Sequence, residues 1–231
     1  MKLRFMTVLC AVLIAGLAIA AEKVEFKTQK DKVSYSIGLD IGNNLKRQSV
    51  DINPDAFAKG LKDAFAGRKP LMTEQEIRET MTAFQQEMIA KQLERSKGLG
   101  EKNKKEGEAF LAGNKKKEGV VALPSGLQYK VIKEGEGKTP KATDTVTVNY
   151  RGTLVDGTEF DSSYKRGQAA DFQVGSVIAG WTEALKLMKE GAKWQLFIPA
   201  ALAYGERGAG NAIGPNAVLI FEIELISVTE K

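Results

Sequence analysis

Seven of the large rings toward the end of this 231-residue chain stand in specific sequence contexts: Tyr150, Phe160, Phe172, Trp181, Phe197, Tyr204 and Phe221. Taken singly, each reads as core. Together they exceed what a small core needs in fixed contexts, and their neighbours are just as specific. Val146 to Tyr150 leads through Arg151-Gly152 and Asp156-Gly157 to Phe160-Asp161-Ser162-Ser163. Gly175-Ser176-Val177-Ile178-Ala179-Gly180-Trp181 follows, then Ile198-Pro199, Ala203-Tyr204-Gly205, Ile213-Gly214-Pro215-Asn216-Ala217 and Leu219 to Leu225. The usual carriers of covalent chemistry are missing. The chain has no histidine, which removes Ser-His-Asp hydrolysis and His-ligated zinc. Its only cysteine is Cys10.

Other apparent motifs dissolve on inspection. Gly137-Lys138-Thr139 ends like a phosphate-binding loop, but the first glycine would have to stand at Ile132. Gly208, Gly210 and Gly214 have the wrong spacing for a dinucleotide loop. Asp156, Glu159 and Asp161 read as turn chemistry and surface charge rather than a paired acid and base.

The elements that must position the rings are strands and one short helix. Leu127 to Ile132 and Val146 to Arg151 alternate as strands do. Asp156-Gly157 marks a hairpin turn into Thr158-Glu159-Phe160. Trp181 to Met188 reads as a helix closed by Gly191, and strands return at Trp194 to Ile198 and Val218 to Val228. One helix among antiparallel strands predicts an α+β roll over residues 120–231.

Upstream the period changes. Val33, Ile37, Ile41 and Leu45 recur every four residues, and Asn53-Pro54 opens a second helix bearing Phe57, Leu61 and Phe65. Residues 21–70 thus predict an all-α region whose faces need each other or a partner chain. Thr73-Glu74-Gln75-Glu76 reads as a capping box that starts a long linker helix across 71–119. Its apolar stripe of Ile77, Met81, Phe84 and Met88 thins beyond Leu93. Gly98, Gly100, Gly107 and Gly113 each weaken that helix by about 1 kcal/mol relative to alanine, and its polar second half predicts a solvent-bridging spacer.

Residues 1–20 read as a secretory signal peptide: Lys2 and Arg4, an apolar run from Phe5, and Ala18-Ile19-Ala20 as cleavage site. Leu9 and Thr7 do not form a lipid-attachment box around Cys10. The mature chain would then hold no cysteine, and therefore neither a disulfide nor a thiol nucleophile. Its net charge of +5, lower by two without Lys2 and Arg4, is too mild to predict a nucleic-acid partner.

The ordered motifs over 120–231 closely resemble the FK506-binding-protein (FKBP) family of peptidyl-prolyl isomerases. The N-terminal half resembles the helical dimerisation region of the Mip and FkpA-type exported members. The resemblance implies an antiparallel sheet wrapped on one short helix, with catalysis by Tyr150, Phe160, Asp161, Tyr204 and Phe221. It implies substrate binding by Val177, Ile178, Trp181 and Ile213, with Arg166 in support. No metal or cofactor is implied. Implied partners are unfolded or X-Pro-containing polypeptides, a second copy held through the N-terminal helices, and FK506- or rapamycin-type inhibitors. The implied location is the periplasm or the outer membrane and surface. Ala169-Ala170, Ala209 and Ala212 stand where many members carry bulkier groups, which predicts a shallower rim. A dimeric holdase chaperone is the alternative, supported by Met72, Met81 and Met88 with Phe84.

Overall fold

The computed structural model describes residues 26–231; the expected leader lies outside them. These residues divide into two compact units, 26–73 and 74–231.

In the first unit, α1 (Gln29–Arg47) starts at Thr28, whose hydroxyl accepts from the Asp31 amide while the Asp31 carboxylate accepts from the Thr28 amide. This reciprocal cap satisfies two otherwise orphaned donors. α2 (Pro54–Phe65) starts as its sequence predicts, with Asn53 accepting from the amides of Asp55 and Ala56 ahead of Pro54. Gly67, at φ +60°, ends it. Neither helix hides its apolar face. No residue of α1 is buried, and Val33, Ile37, Phe57, Leu61 and Phe65 are all exposed.

The second unit opens with α3 (Glu74–Asn114), one unbroken helix of 41 residues. At about 1.5 Å per residue it is roughly 60 Å long. The sheet follows as β1 (Val120–Ala122), β2 (Gln128–Lys133), β3 (Thr145–Leu154), β4 (Glu159–Ser162), β5 (Ala170–Gln173), β6 (Lys193–Ile198) and β7 (Leu219–Thr229). All pairings are antiparallel, in the order β1-β2-β6-β7-β3-β4, with β5 also on β3. α4 (Ser163–Arg166) and α5 (Ala179–Leu185) complete the unit. This is the expected α+β class.

Alternation along the central strands decides which side is dry. Val146, Val148 and Tyr150 of β3, Leu196 and Ile198 of β6, and Leu219, Phe221 and Ile223 of β7 bury themselves against Trp181, Ala184 and Leu185 of α5. The opposite face is polar where β3, β6 and β7 meet, with Lys193 paired to Glu222 at 2.6 Å. α5 begins earlier and ends earlier than the sequence suggests, because Lys186 caps it and the chain turns at Leu187-Met188 to bury Met188.

The second half of α3 is not a spacer in solvent. Phe197, outward-facing on β6, is covered by Phe110 with ring centroids 6.0 Å apart. Buried Asn114 donates to the Gln128 side chain on β2 at 3.0 Å, and Gln128 donates to the Leu111 carbonyl at 3.0 Å. Gly100 and Gly107 are buried within this contact. They cost the helix propensity but admit the sheet domain, which reverses their reading as mere weak points.

Gly180 sets the distance between α5 and the sheet: a Cβ there would stand 2.5 Å from Ile198 Cγ2. Gly180→Ala should therefore destabilise this unit by about 1–3 kcal/mol through overpacking, seen as a lower urea midpoint at unchanged slope.

Candidate active site

The site grows from the shared end of β3 and β7, where Tyr150 faces inward opposite Ile223 and Gly152 lies opposite Phe221. α5 brings Trp181 beneath them. Its indole meets Tyr150, Phe172 and Phe221 edge-on, at centroid distances of 5.2, 5.5 and 5.1 Å. Edge-to-face contacts of this kind add about 0.5–1.5 kcal/mol each beyond their burial. Phe160 on β4 extends the set, 5.4 Å from Phe221 and nearly perpendicular to it. Gly152 makes that crossing sterically feasible, since a Cβ there would lie 2.6 Å from the Phe160 ring and 2.8 Å from Phe221. The Trp181 indole nitrogen is buried without a hydrogen-bond partner among the described residues. Packing holds the ring in place despite that desolvation cost.

Polar groups collect at one edge. The Tyr150 hydroxyl donates to Asp161 Oδ2 at 2.6 Å, and Arg166 Nη2 donates to the same hydroxyl at 2.7 Å. Arg166 also pairs with Asp161 Oδ1, which accepts from the Ser162 amide at 2.8 Å. The guanidinium lies over the Tyr150 ring. α4 is the device that returns Arg166 to Tyr150. Ser162 caps that turn, and buried Ser163 stitches it to β3 by accepting from the Tyr150 amide at 2.9 Å and donating to Asn149 at 3.0 Å.

Most of the expected residues meet here: Tyr150, Phe160, Trp181 and Phe221 through their rings, Asp161 and Arg166 through hydrogen bonds. Val177 and Ile178 pack against the same core, and Ile213 is buried in it. Tyr204 stands apart, 42% exposed, with its hydroxyl making no hydrogen bond among the described residues. Phe197 belongs to the opposite face. Two contributors, both noted in the sequence, were not assigned to the site there. Phe172 enters through β5, whose pairing with Val146 turns Ala170 and Phe172 inward, a short alternation visible in Ala170-Asp171-Phe172-Gln173. Ser163 carries no such signal, because its role depends on where β3 passes.

A cleft of about 750 Å³ opens beyond Ile213, between α3 and residues 207–218. No ring lines it. The aromatic rings gather instead around Trp181, in the apolar core.

Burial pushes the Asp161 carboxyl upward, but the hydrogen bonds from Tyr150 and Arg166 and the Arg166 charge outweigh it and leave it below the usual 3.8. Burial first, then the bond to Asp161, raises the Tyr150 hydroxyl. Asp161 is therefore an anion at neutral pH. With a depressed folded value, its contribution to stability is present above about pH 4 and is lost as pH falls through the folded value. Carboxyl-carbon NMR should show Asp161 titrating below 3.8, and Tyr150→Phe or Arg166→Met should move the midpoint upward.

Comparison with known proteins extends the likeness to nearly the whole chain. A family model described as "Domain amino terminal to FKBP-type peptidyl-prolyl isomerase" matches residues 30–131. Another, described as "FKBP-type peptidyl-prolyl cis-trans isomerase", matches residues 136–226. The chain is 50% identical over 229 residues to the outer membrane protein MIP of Legionella longbeachae, covering 99% of this chain and 98% of that one. It is 47% identical over 205 residues to the peptidyl-prolyl cis-trans isomerase Mip of Coxiella burnetii, covering 89% of each. The crystal structure of FkpA from Escherichia coli matches with a TM-score of 0.69 at 38% identity, over 89% of this chain and 99% of that one. These likenesses favour catalysed rotation over the holdase alternative: the chain belongs to the FKBP-type peptidyl-prolyl cis-trans isomerases.

Proposed function

We propose that the hollow around Trp181 is where this isomerase turns an X-Pro bond. The observation that carries the assignment is the nest of edge-on rings with an ionised, doubly held carboxylate at its lip. Trp181 forms the floor for the proline ring, with Phe160, Val177, Ile178, Ile213 and Phe221 as walls. Arg166 and Tyr150 hold Asp161 in place.

The reaction breaks no bond. Resonance makes the amide C–N bond partly double and sets a barrier of about 18–20 kcal/mol to rotation. Only interactions that favour the twisted amide over both planar forms speed it. Twisting reduces the charge separation of the amide, so a dry pocket penalises the planar forms more. The Asp161 carboxylate acts in the same sense, because it repels a carbonyl oxygen most when that oxygen carries the full charge of the planar amide. The exposed Tyr204 hydroxyl, free of any partner among the described residues, serves as a donor that orients a client carbonyl. Clients are proline-containing polypeptides. FK506- or rapamycin-type inhibitors would enter the same hollow, across a rim lowered by Ala169, Ala170, Ala209 and Ala212.

Export completes the proposal. It is supported by the leader pattern in residues 1–20 and by a relative named as an outer membrane protein. No helix among the described residues is long and apolar enough to cross a membrane. We place α1 and α2 in the dimerisation region, 21–70, because their exposed apolar faces are what a second copy would cover.

Refolding of a protein limited by prolyl isomerisation tests the site. Asp161→Ala and Phe221→Ala should each slow catalysis by about tenfold or more, equivalent to about 1.4 kcal/mol of lost transition-state preference; unchanged rates would remove both from the site. Light scattering tests assembly. Residues 22–231 should run at twice the chain mass, and Ile37→Lys with Ile41→Lys should bring them to the monomer mass.

A further inference from the structure

The non-exposed residues in the second half of α3 are Ser96, Gly100, Asn103, Gly107, Phe110, Leu111 and Asn114. Ser96, Gly100, Asn103, Gly107, Phe110 and Asn114 recur in steps of four and three, the spacing of one helix face. Phe110, Leu111 and Asn114 meet β2 and β6. The rest of the face meets something else: the loop between β6 and β7 that carries Tyr204 and Ile213.

Contact there is close and polar. Asn103 Nδ2 donates to the Pro215 carbonyl at 2.8 Å, and Asn216 Nδ2 donates to the Gly100 carbonyl at 3.4 Å. A Cβ on Gly107 would stand 2.6 Å from Val218 Cγ2, and one on Gly100 would stand 3.1 Å from Pro215 Cβ. A Cβ on Gly214 would lie 2.9 Å from Leu99 Cδ2 and 3.0 Å from the Asn103 amide nitrogen. Glycines on both partners let two backbones approach where side chains would hold them apart.

The loop has its own fastenings. Ala209 and Ile213 exchange backbone hydrogen bonds at 2.8 and 3.1 Å, and the Asn216 amide donates to the Gly205 carbonyl at 2.8 Å. Those bonds shape it but do not fix it against the hollow. Behind Ile213, the 750 Å³ cleft leaves part of the loop's outer side unsupported. On that outer side the loop is supported by α3, while Ala209, Ile213 and Ala217 pack on the core from within.

We infer that α3 is a positioning element of the isomerase site, and that Asn103, through Pro215, holds the loop so that Ile213 stays in the wall of the hollow. Asn103 touches no reacting atom. Its effect is on the fraction of molecules whose hollow is closed on that side. A loop that is competent only part of the time raises the apparent dissociation constant by the inverse of that fraction and leaves the rotation step within the bound state alone. The inference rests on the proposed assignment of the hollow, which places Ile213 in its wall.

Exchange NMR on a short X-Pro peptide, with the full chain, separates KM from kcat. Asn103→Ala and Gly107→Leu should raise KM about three- to tenfold at nearly constant kcat. Gly113→Ala, where nothing lies within 4 Å of the added methyl, should match the parent. Hydrogen exchange at the Ile213 and Asn216 amides should quicken in Asn103→Ala and not in Gly113→Ala. An unchanged KM and unchanged exchange in Asn103→Ala would overturn the inference, as would an equal rise of KM in Gly113→Ala. If Gly107→Leu does not fold, Asn103→Ala decides alone. Failure of the site assignment shows separately, as a Phe221→Ala variant with parental KM and kcat; the exchange rates then still judge the loop.

Discussion

Trp181 has to lie edge-on beneath three other rings with no hydrogen bond to its indole from any described residue. That single constraint organises the second unit. It requires α5 to approach β6 as closely as Gly180 allows, and β3 and β7 to present Tyr150 and Phe221 on the same side at neighbouring positions. The indole nitrogen has no hydrogen-bond partner among the described residues, and the ring is held by its packing against Tyr150, Phe172 and Phe221. A floor held by shape rather than hydrogen bonding suits a catalyst that recognises a proline ring, which itself has no donor to offer.

The polar lip follows from the same geometry. Once Tyr150 points inward, its hydroxyl reaches the edge of the core and needs a partner. Asp161 supplies one, and the turn of α4 returns Arg166 to neutralise the carboxylate. The three groups form a closed set in which each fixes another's orientation. Their cost is modest because Asp161 and Arg166 remain partly open to water. The dry floor and the charged lip are therefore one assembly, built across β3, β4, α4 and α5.

α3 extends the packing beyond the sheet. A helix that ended at the domain boundary would leave Phe197, Gln128 and Val218 uncovered on the outer face. Docking of the helix covers them, and the same face meets the loop that carries Ile213.

Composition, strand alternation and the order of ring-bearing motifs were enough to read the α+β class, the helical first region and most of the rings that cluster around Trp181. Such features are local: periodicity of two or of three to four, Asn53-Pro54 at a helix start, Asp156-Gly157 at a hairpin. Even Tyr150, Asp161 and Arg166 lie within one short stretch. Tertiary structure decided the rest. Apart from Phe110, the docking face of α3 is made of Ser96, Gly100, Asn103, Gly107 and Asn114, which carry almost no hydrophobic signal, so the sequence pattern there is that of a weak polar helix. Ser163, Phe172 and Phe197 owe their places to which strand passes beside them. Hydrophobic periodicity reports burial that is bought with apolar area; close approach through glycine, and amides paired across distant segments, appear only when the chain has folded.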